Sequence, residues 1–467
     1  MVSIRQIEKK EQFCQAIDVE VITNSIGLDI IDEVLETCGA RERRIRKLPA
    51  RVVILLCIMM NIFTDMGLTH VMLQMVSGLR WLSQNPIDVI AGRNSMSEAR
   101  YRLGVKPMQL LFKRICRPIA TRQTPGAFAY GLRLVAFDGR RQDLADSADN
   151  ERHFGRPTGG ARGPWPQMDI VHLCECGTRV IFDVFFGAYG SSERQAAQRL
   201  LRSIKPGMLL LWDSGFYSVE LILQAQQRGA QLLGRLPGYV KPEIVRVLPD
   251  GSYWAYLYPG DYQARKTGKR VLVRVIEYTI DDPQRTGHGQ LHRLFTTLFD
   301  PIKYPSLELI GLYHERWEIE IAFDEIATHQ LLVNRPLRSR KPVGVMQELY
   351  GLLLAHFIIR SLIGYTAHAQ QLDPDCLSFV HAVRLLKMVL PTLQLLDPQH
   401  HPAIWQQLAN DLAHPRHRLP PRANRINPRV VKRRTSRFAR KNLSHYALPK
   451  LTLTFSQSVL LLHPSPP

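Results

Sequence analysis

The chain has 467 residues, with 61 Lys+Arg against 41 Asp+Glu, a formal net charge of +20 and an isoelectric point near 9.9. Hydrophobic residues make up 45% and charged residues 22%, an ordinary globular composition that excludes a disordered chain and supports roughly two to four folded units. The excess positive charge calls for a polyanionic partner, nucleic acid before an anionic membrane surface.

The segment Met1 to Phe13 holds no apolar signal core, so secretion is not expected and the cytoplasm is. The run Val52 to Phe63 is interrupted by Asn61 and is too short to cross a bilayer. Val343 to Tyr365 is longer but carries Glu348, His356 and Arg360, which suits a buried or groove-facing helix, so no membrane partner is expected. The first hundred residues read as helical. Apolar positions recur at helical spacing from Gly27 to Phe63, with a break at Gly39 and a second helix opened by Pro49. Pro107 to Ala120 reads as a further amphipathic helix. The basic residues Arg41, Arg43, Arg44, Arg46, Lys47 and Arg51 suit either a face laid on DNA or the solvated side of a bundle.

Near Leu132 the pattern changes. A buried strand is expected to end at Asp138, followed by strands over Met168–Glu175 and Arg179–Gly187. A helix capped by Ser191 or Ser192 follows, then a strand ending at Asp213, a helix stopped by Gly229, and a strand to Leu236. That order predicts an α/β fold with a mixed sheet. From Pro237 to about Asp300 the reading is β-rich, with strands over Ser252–Tyr258, Arg270–Ile280 and His292–Phe299. One long helix is expected over Ser306–Leu332, another over Val343–Tyr365, and weaker helices to Leu412. The tail from His414 is rich in Pro and Arg. Arg416 to Lys441 holds eleven Lys/Arg and no acid, about half of the net charge, and is expected to order only on a partner. The expected domains are an N-terminal helical domain (1–127), a core in two parts (128–240 and 301–365) around a β-rich insertion (241–300), a helical region (366–412) and the basic tail (413–467).

Three carboxylates stand out by position. Asp138 and Asp213 close apolar strands, where ligands of open α/β sheets bind. Two acids on neighbouring strands repel each other and favour a divalent cation, although a turn-forming Asp before Gly explains Asp138 taken alone. On the long helix predicted over Ser306–Leu332, Tyr313, Arg316 and Glu320 stand at i, i+3 and i+7 and share a face, while Glu318 and Glu325 point away from it. That stripe suits a phosphate- and metal-binding surface; an exposed ion pair between Arg316 and Glu320 is the plainer alternative. Cys174 and Cys176 supply two of the about four ligands a zinc ion takes and read as reduced thiols.

"LRLVAFDG", "LLLWDSGFYS" and "LYHERWEIEIAFDEIATHQL" occur in the order of the three acidic motifs of the IS-four group of bacterial insertion-sequence transposases, members of the DDE superfamily, which the chain resembles over most of its length. "LPARVVILLCIMMNIF" and "SMSEARYRLG" resemble that group's N-terminal helical domain. The third motif runs Tyr, two residues, Arg, three residues, Glu, six residues, Lys. Tyr313, Arg316 and Glu320 match it; position 327 is Ala where the group has a phosphate-holding Lys. The resemblance implies an RNase H-like core with helices flanking a mixed sheet, interrupted by the β-rich insertion, and spacings of 75 and 107 residues between the three acids leave room for it.

It also implies a metal-dependent, cut-and-paste DNA transposase with Asp138, Asp213 and Glu320 as catalytic and metal-binding residues. Two Mg2+ ions are implied, with Mn2+ able to substitute. The implied partners are DNA, as terminal inverted repeats and target, and a second copy in a synaptic homodimer at the bacterial nucleoid. The implied DNA contacts are Tyr313 and Arg316, Trp254 or His292 from the insertion as the aromatic that stacks on a flipped base, and Arg429, Lys432, Arg433 and Arg434 of the tail. The alternatives are a transposase-derived DNA-binding protein, which Ala327 alone supports, and a metal-dependent nuclease without strand transfer.

Overall fold

The structure is a computed structural model that describes residues 27–41, 48–75, 91–158, 163–260, 263, 266–283, 285, 287–313, 316–331, 335–393, 396–420, 430–431, 439–440 and 453–462. The first elements in chain order are α1 (Leu28–Thr37), α2 (Ala50–Ile62), α3 (Leu68–Met75), α4 (Arg93–Leu103), α5 (Lys106–Ile115), β1 (Phe128–Ala129) and β2 (Leu132–Asp143). There follow α6 (Ala148–Phe154), β3 (Gln167–Glu175), β4 (Ile181–Ala188), α7 (Glu193–Leu200), β5 (Met208–Trp212), α8 (Val219–Gln227) and β6 (Gln231–Arg235). The insertion supplies β7 (Glu243–Val247), β8 (Tyr253–Leu257), β9 (Val271–Ile280) and β10 (His292–Thr296). Then come α9 (Ser306–Tyr313), α10 (Trp317–Asp324), a π-helical turn (Glu325–Gln330), α11 (Pro342–Ala369), α12 (Phe379–Leu393) and α13 (His401–Leu412). Three short strands end the chain: β11 (Val430–Val431), β12 (Ala439–Arg440) and β13 (Val459–Leu461).

The chain forms two compact units. The first comprises 1–127, 138–196 and 318–418; the second comprises 128–137, 197–317 and 419–467. In the first, α2 and α11 form the apolar centre. Asn61 on α2 donates to the Glu348 carbonyl at 3.2 Å, and Gln347 donates to the carbonyls of Arg100 and Gly104 at 2.6 and 2.7 Å. A side chain at Gly351 would overlap the Cys57 carbonyl, so glycine there lets the two helices touch. Helix α11 meets the length and composition of a membrane span, yet 83% of its apolar window is buried inside the protein. Beside these helices lie the antiparallel pair β3–β4 and the outer half of β2. Cys174 and Cys176 are buried free thiols.

The second unit holds the strand order β2–β5–β6–β10–β9–β8–β7, with β1 on β2 and β13 on β9. The β2–β5 and β5–β6 pairs are parallel, and every insertion pair is antiparallel. The buried runs Leu134–Phe137 and Leu209–Trp212 follow from this, because a parallel strand covered on both faces is apolar throughout. The order β4–β3–β2 followed by β2–β5–β6 is the RNase H-like order. The insertion prolongs this sheet through β10 on β6.

Three expectations change. Strand β2 runs on to Asp143, because its outer half gains β3 as a neighbour after the β5 pairing ends at Ala136↔Leu211. The helix expected over Ser306–Leu332 is α9, α10 and a π turn. The tail, expected to order only on a partner, returns at Val459–Leu461 as a strand on the edge of β9.

Candidate active site

In the second unit Ala136 and Leu211 are register partners, and the Phe137 and Trp212 rings that follow stack at 5.7 Å. Asp213 is the residue that follows β5. Asp213 opens a short 3-10 turn and accepts the Gly215 N–H at 2.7 Å, which fixes its carboxyl at the C-terminal end of β5. Tyr313, buried at the end of α9, has Arg316 5.9 Å from its ring. Burial pushes the Tyr313 hydroxyl up to about 12; Arg316 and Arg235 oppose the shift and Asp213 adds to it. Asp213, Arg235 and Arg316 therefore all act on Tyr313. His292 joins them: it stacks on Tyr278 at 5.1 Å and contacts Arg235 at 3.4 Å, and burial lowers its pKa. Trp254 is held differently, with Nε1 donating to the Phe299 carbonyl at 3.4 Å and Arg246 5.7 Å from its ring. Tyr239, which the sequence did not single out, is 72% exposed in the loop after β6, whose carbonyls are gripped by Arg293.

In the first unit Asp138 is half-buried and accepts the Gly139 N–H at 2.8 Å. A Cβ on Gly139 would stand 2.5 Å from Glu193 Oε1, so the glycine brings the Glu193 carboxylate against the strand beside Asp138. Arg140 follows, its Nη2 donating to Gln142 Oε1 at 2.7 Å and its Nε closed off from water. Burial pulls its guanidinium down to about 10.

Glu320 is half-buried on α10, Asp324 at the end of that helix is exposed, and Glu318 and Glu325 are buried and paired. Arg179 donates to Glu318 at 2.6 Å, to Glu325 at 3.0 Å and to Asp375. Arg360 donates to both oxygens of Glu325, one at 2.8 Å, and His356 lies 3.2 Å from it. Glu318 and Glu325 do point away from the Glu320 side, into a salt-bridge network that the sequence did not disclose. The π turn opens at Glu325, where these partners anchor the chain, and Ala327 lies inside it. The expected single-helix stripe is thus broken: Tyr313 ends α9, Arg316 lies between the helices and Glu320 is on α10, and Ala327 does not hold the α-helical phase that a seven-residue count assigns.

Among the described residues no three His, Cys, Asp or Glu side chains stand close enough to form a ready-made metal group. Arg429, Lys432, Arg433 and Arg434 lie outside the described residues.

A family model for the N-terminal region of the insertion element 4 transposase matches residues 16–113, and one for the transposase DDE domain matches residues 130–358. The transposase InsG of insertion sequence element IS4, from Escherichia coli K12, is 30% identical over 351 residues, covering 73% of this chain and 76% of that protein. The putative transposase InsZ of the same strain is 27% identical over 158 residues, 32% of this chain and 51% of its own length. The structure of the piggyBac transposase synaptic complex with hairpin DNA aligns over 86% of each chain, with a TM-score of 0.42 and 14% identity.

Proposed function

The chain belongs to the insertion element 4 family of DDE transposases, and on that premise we propose that Asp138, Asp213 and Glu320 are the carboxylates of its phosphodiester chemistry. The protein is a DNA transposase, an enzyme that binds DNA, and its DDE domain implies a divalent metal. The observation that supports the residue assignment is the parallel pairing of β2 and β5, whose buried apolar runs end at Phe137 and Trp212, the residues just before Asp138 and Asp213. Glu320 comes from α10, where Arg179 holds Glu318, while Arg179 and Arg360 hold Glu325 at the start of the π turn that follows.

The donor set fits Mg2+, since all three residues offer hard carboxylate oxygens and none offers sulfur. Asp138, Asp213 and Glu320 would hold the ions, two in our reading, with Mn2+ able to substitute. When bound, such ions acidify the attacking water and balance charge on the leaving oxygen. The chain's own groups do the rest. Arg316 and Tyr313 grip and orient the phosphate at the end of the element, and the shut pocket around Tyr313 keeps its hydroxyl protonated as a donor. Water attacks the phosphorus in line and frees a 3′-hydroxyl; that hydroxyl then attacks target DNA in the same way, giving cut-and-paste transposition. The terminal inverted repeats are the substrate, a homodimer holds two ends together, and the work takes place in the cytoplasm at the nucleoid. His292, within the Arg235 cluster, is better supported than Trp254 as a DNA-facing ring of the insertion.

The test is nicking of supercoiled plasmid with and without Mg2+, followed by joining of a 3′-ended oligonucleotide to plasmid. Asp138→Asn, Asp213→Asn and Glu320→Gln should each abolish cleavage and leave DNA binding intact. Near wild-type cleavage by any one removes that residue from the site. Ala327 favours a second reading, a DNA-binding protein without catalysis, which binding with no Mg2+-dependent nicking in the unaltered chain would establish.

A further inference from the structure

Three buried arginines of this protein are met by acids. Arg274 is held by Asp250, Ser252, Ser306 and the Tyr304 carbonyl, and Arg179 and Arg360 share Glu318, Glu325 and Asp375. Buried Arg100 is met instead by Ser339 and the Gly344 carbonyl, and half-buried Arg140 also lacks an acid. Of the five N–H donors of a guanidinium, its one protein acceptor among the described residues is Gln142 Oε1, a neutral amide. Its Nε is shut away from water with no partner. The titratable side chains whose charge interacts with it are two buried imidazoles, His172 and His356, not acids. A guanidinium partly withdrawn from water with no acid bonded to it carries a desolvation cost, and the planar fork matches a phosphate. Alternate residues of a strand share a face, so Arg140 stands on the Asp138 side of β2, about 6.6 Å along it.

We propose that Arg140 is a phosphate-binding side chain that receives a DNA phosphate beside Asp138, supplying from the strand the cationic contact that Ala327 cannot supply from the helix. The proposal rests on the reading of Asp138 as a phosphodiester-cleaving residue, and its test separates the two. Thermal unfolding is followed in sodium phosphate and in sodium chloride of equal ionic strength, for the unaltered chain, Arg140→Met and Arg140→Lys. The unaltered midpoint should rise with phosphate, because a ligand that binds the folded state stabilises it by mass action. Arg140→Met should lose that Arg140-dependent rise. It should melt no lower than the unaltered chain in chloride, since a charge without a partner has been replaced by an apolar chain of similar length. Arg140→Lys should keep part of the response. In Mg2+-dependent plasmid nicking, Arg140→Met should be slower by tenfold or more and Arg140→Lys intermediate.

A merely structural arginine gives the reverse: Arg140→Met melts lower or fails to fold, and Arg140→Lys responds to phosphate as the unaltered chain does. That result overturns the proposal. If the unaltered chain nicks plasmid while the phosphate response ignores Arg140, the proposal falls and the transposase chemistry stands. If the response needs Arg140 but nothing nicks, the anion site stands and the role of Asp138 falls.

Discussion

Replacing Arg179 with methionine should remove the cation from the centre of the first unit. The side chain is 5% exposed and donates to three carboxylates, Glu318 at 2.6 Å, Glu325 at 3.0 Å and Asp375. Glu325 keeps Arg360 and His356, but Glu318 and Asp375 lose this guanidinium. Removing one partner of a buried ion pair costs about 3–5 kcal/mol, most of it from the charge left behind. Arg179 also sits in a left-handed turn with φ 59°, a conformation unfavourable for a residue with a Cβ, which implies that its contacts outweigh that strain. The control is Arg141→Met, whose pair with Asp169 is 3.2 Å long with the arginine 60% exposed, and which should cost at most about 1 kcal/mol. Urea unfolding followed by circular dichroism measures both, with the change read from the midpoint at unchanged slope. Adding Glu318→Gln to Arg179→Met should restore part of the loss, because it removes a stranded charge. Arg179→Met within about 1 kcal/mol of the unaltered chain, or equal to Arg141→Met, would refute the argument that this network clamps α10. A real clamp has a catalytic corollary: Arg179→Met should lose Mg2+-dependent nicking faster than DNA binding, since Glu320 rides between Glu318 and Glu325.

Burial holds His356 down at about 3 and His172 well below its ordinary value, so both stay neutral in the folded chain while their unfolded forms protonate near 6.5. The unfolded state binds more protons below that pH, so stability is complete above about 6.5 and falls as the pH drops towards the folded values, by up to about 1.4 kcal/mol per pH unit for each histidine. His356→Gln should flatten the acid limb of the unfolding curve; an unchanged limb would show that another group controls it. Changing Arg429, Lys432, Arg433 and Arg434 to Gln should lower the log–log salt slope of DNA binding by about 3 to 4 if each touches a phosphate, and an unchanged slope would assign them to protein contacts. This is a cleaner test than truncation after Leu412, which would also strip β13 from β9. Ala327→Lys should leave stability within about 0.5 kcal/mol, as both residues are good helix formers, and should change end-DNA binding by less than about threefold. A tenfold gain would show that position 327 does face the transposon end.

The apolar strands and their terminal acids were legible because each is a continuous buried run, and continuity is what a parallel strand covered on both sides requires. The further course of β2 was not legible. Gly139, Arg140 and Arg141 read as a polar turn, and only pairing with β3, distant in sequence, keeps them extended. The same limit hid the partners of Glu318 and Glu325. The sequence marked both as pointing away from the Glu320 face, but Arg179 lies 139 and 146 residues away. Hiding those partners also misplaced Ala327. Seven α-helical residues return to within about 20° of their start, so counting from Glu320 puts position 327 on the same face. That count presumes an unbroken α-helix. Here Glu325 is pinned by Arg179, His356 and Arg360, and the chain passes it in a wider i→i+5 turn, so Ala327 lags behind the α-helical phase. A lysine there would start from the wrong side of the helix. Its absence therefore does not mark a retired active site, and in our proposal the cation for the phosphate comes from the sheet instead, where the strand carries Arg140 two residues beyond Asp138.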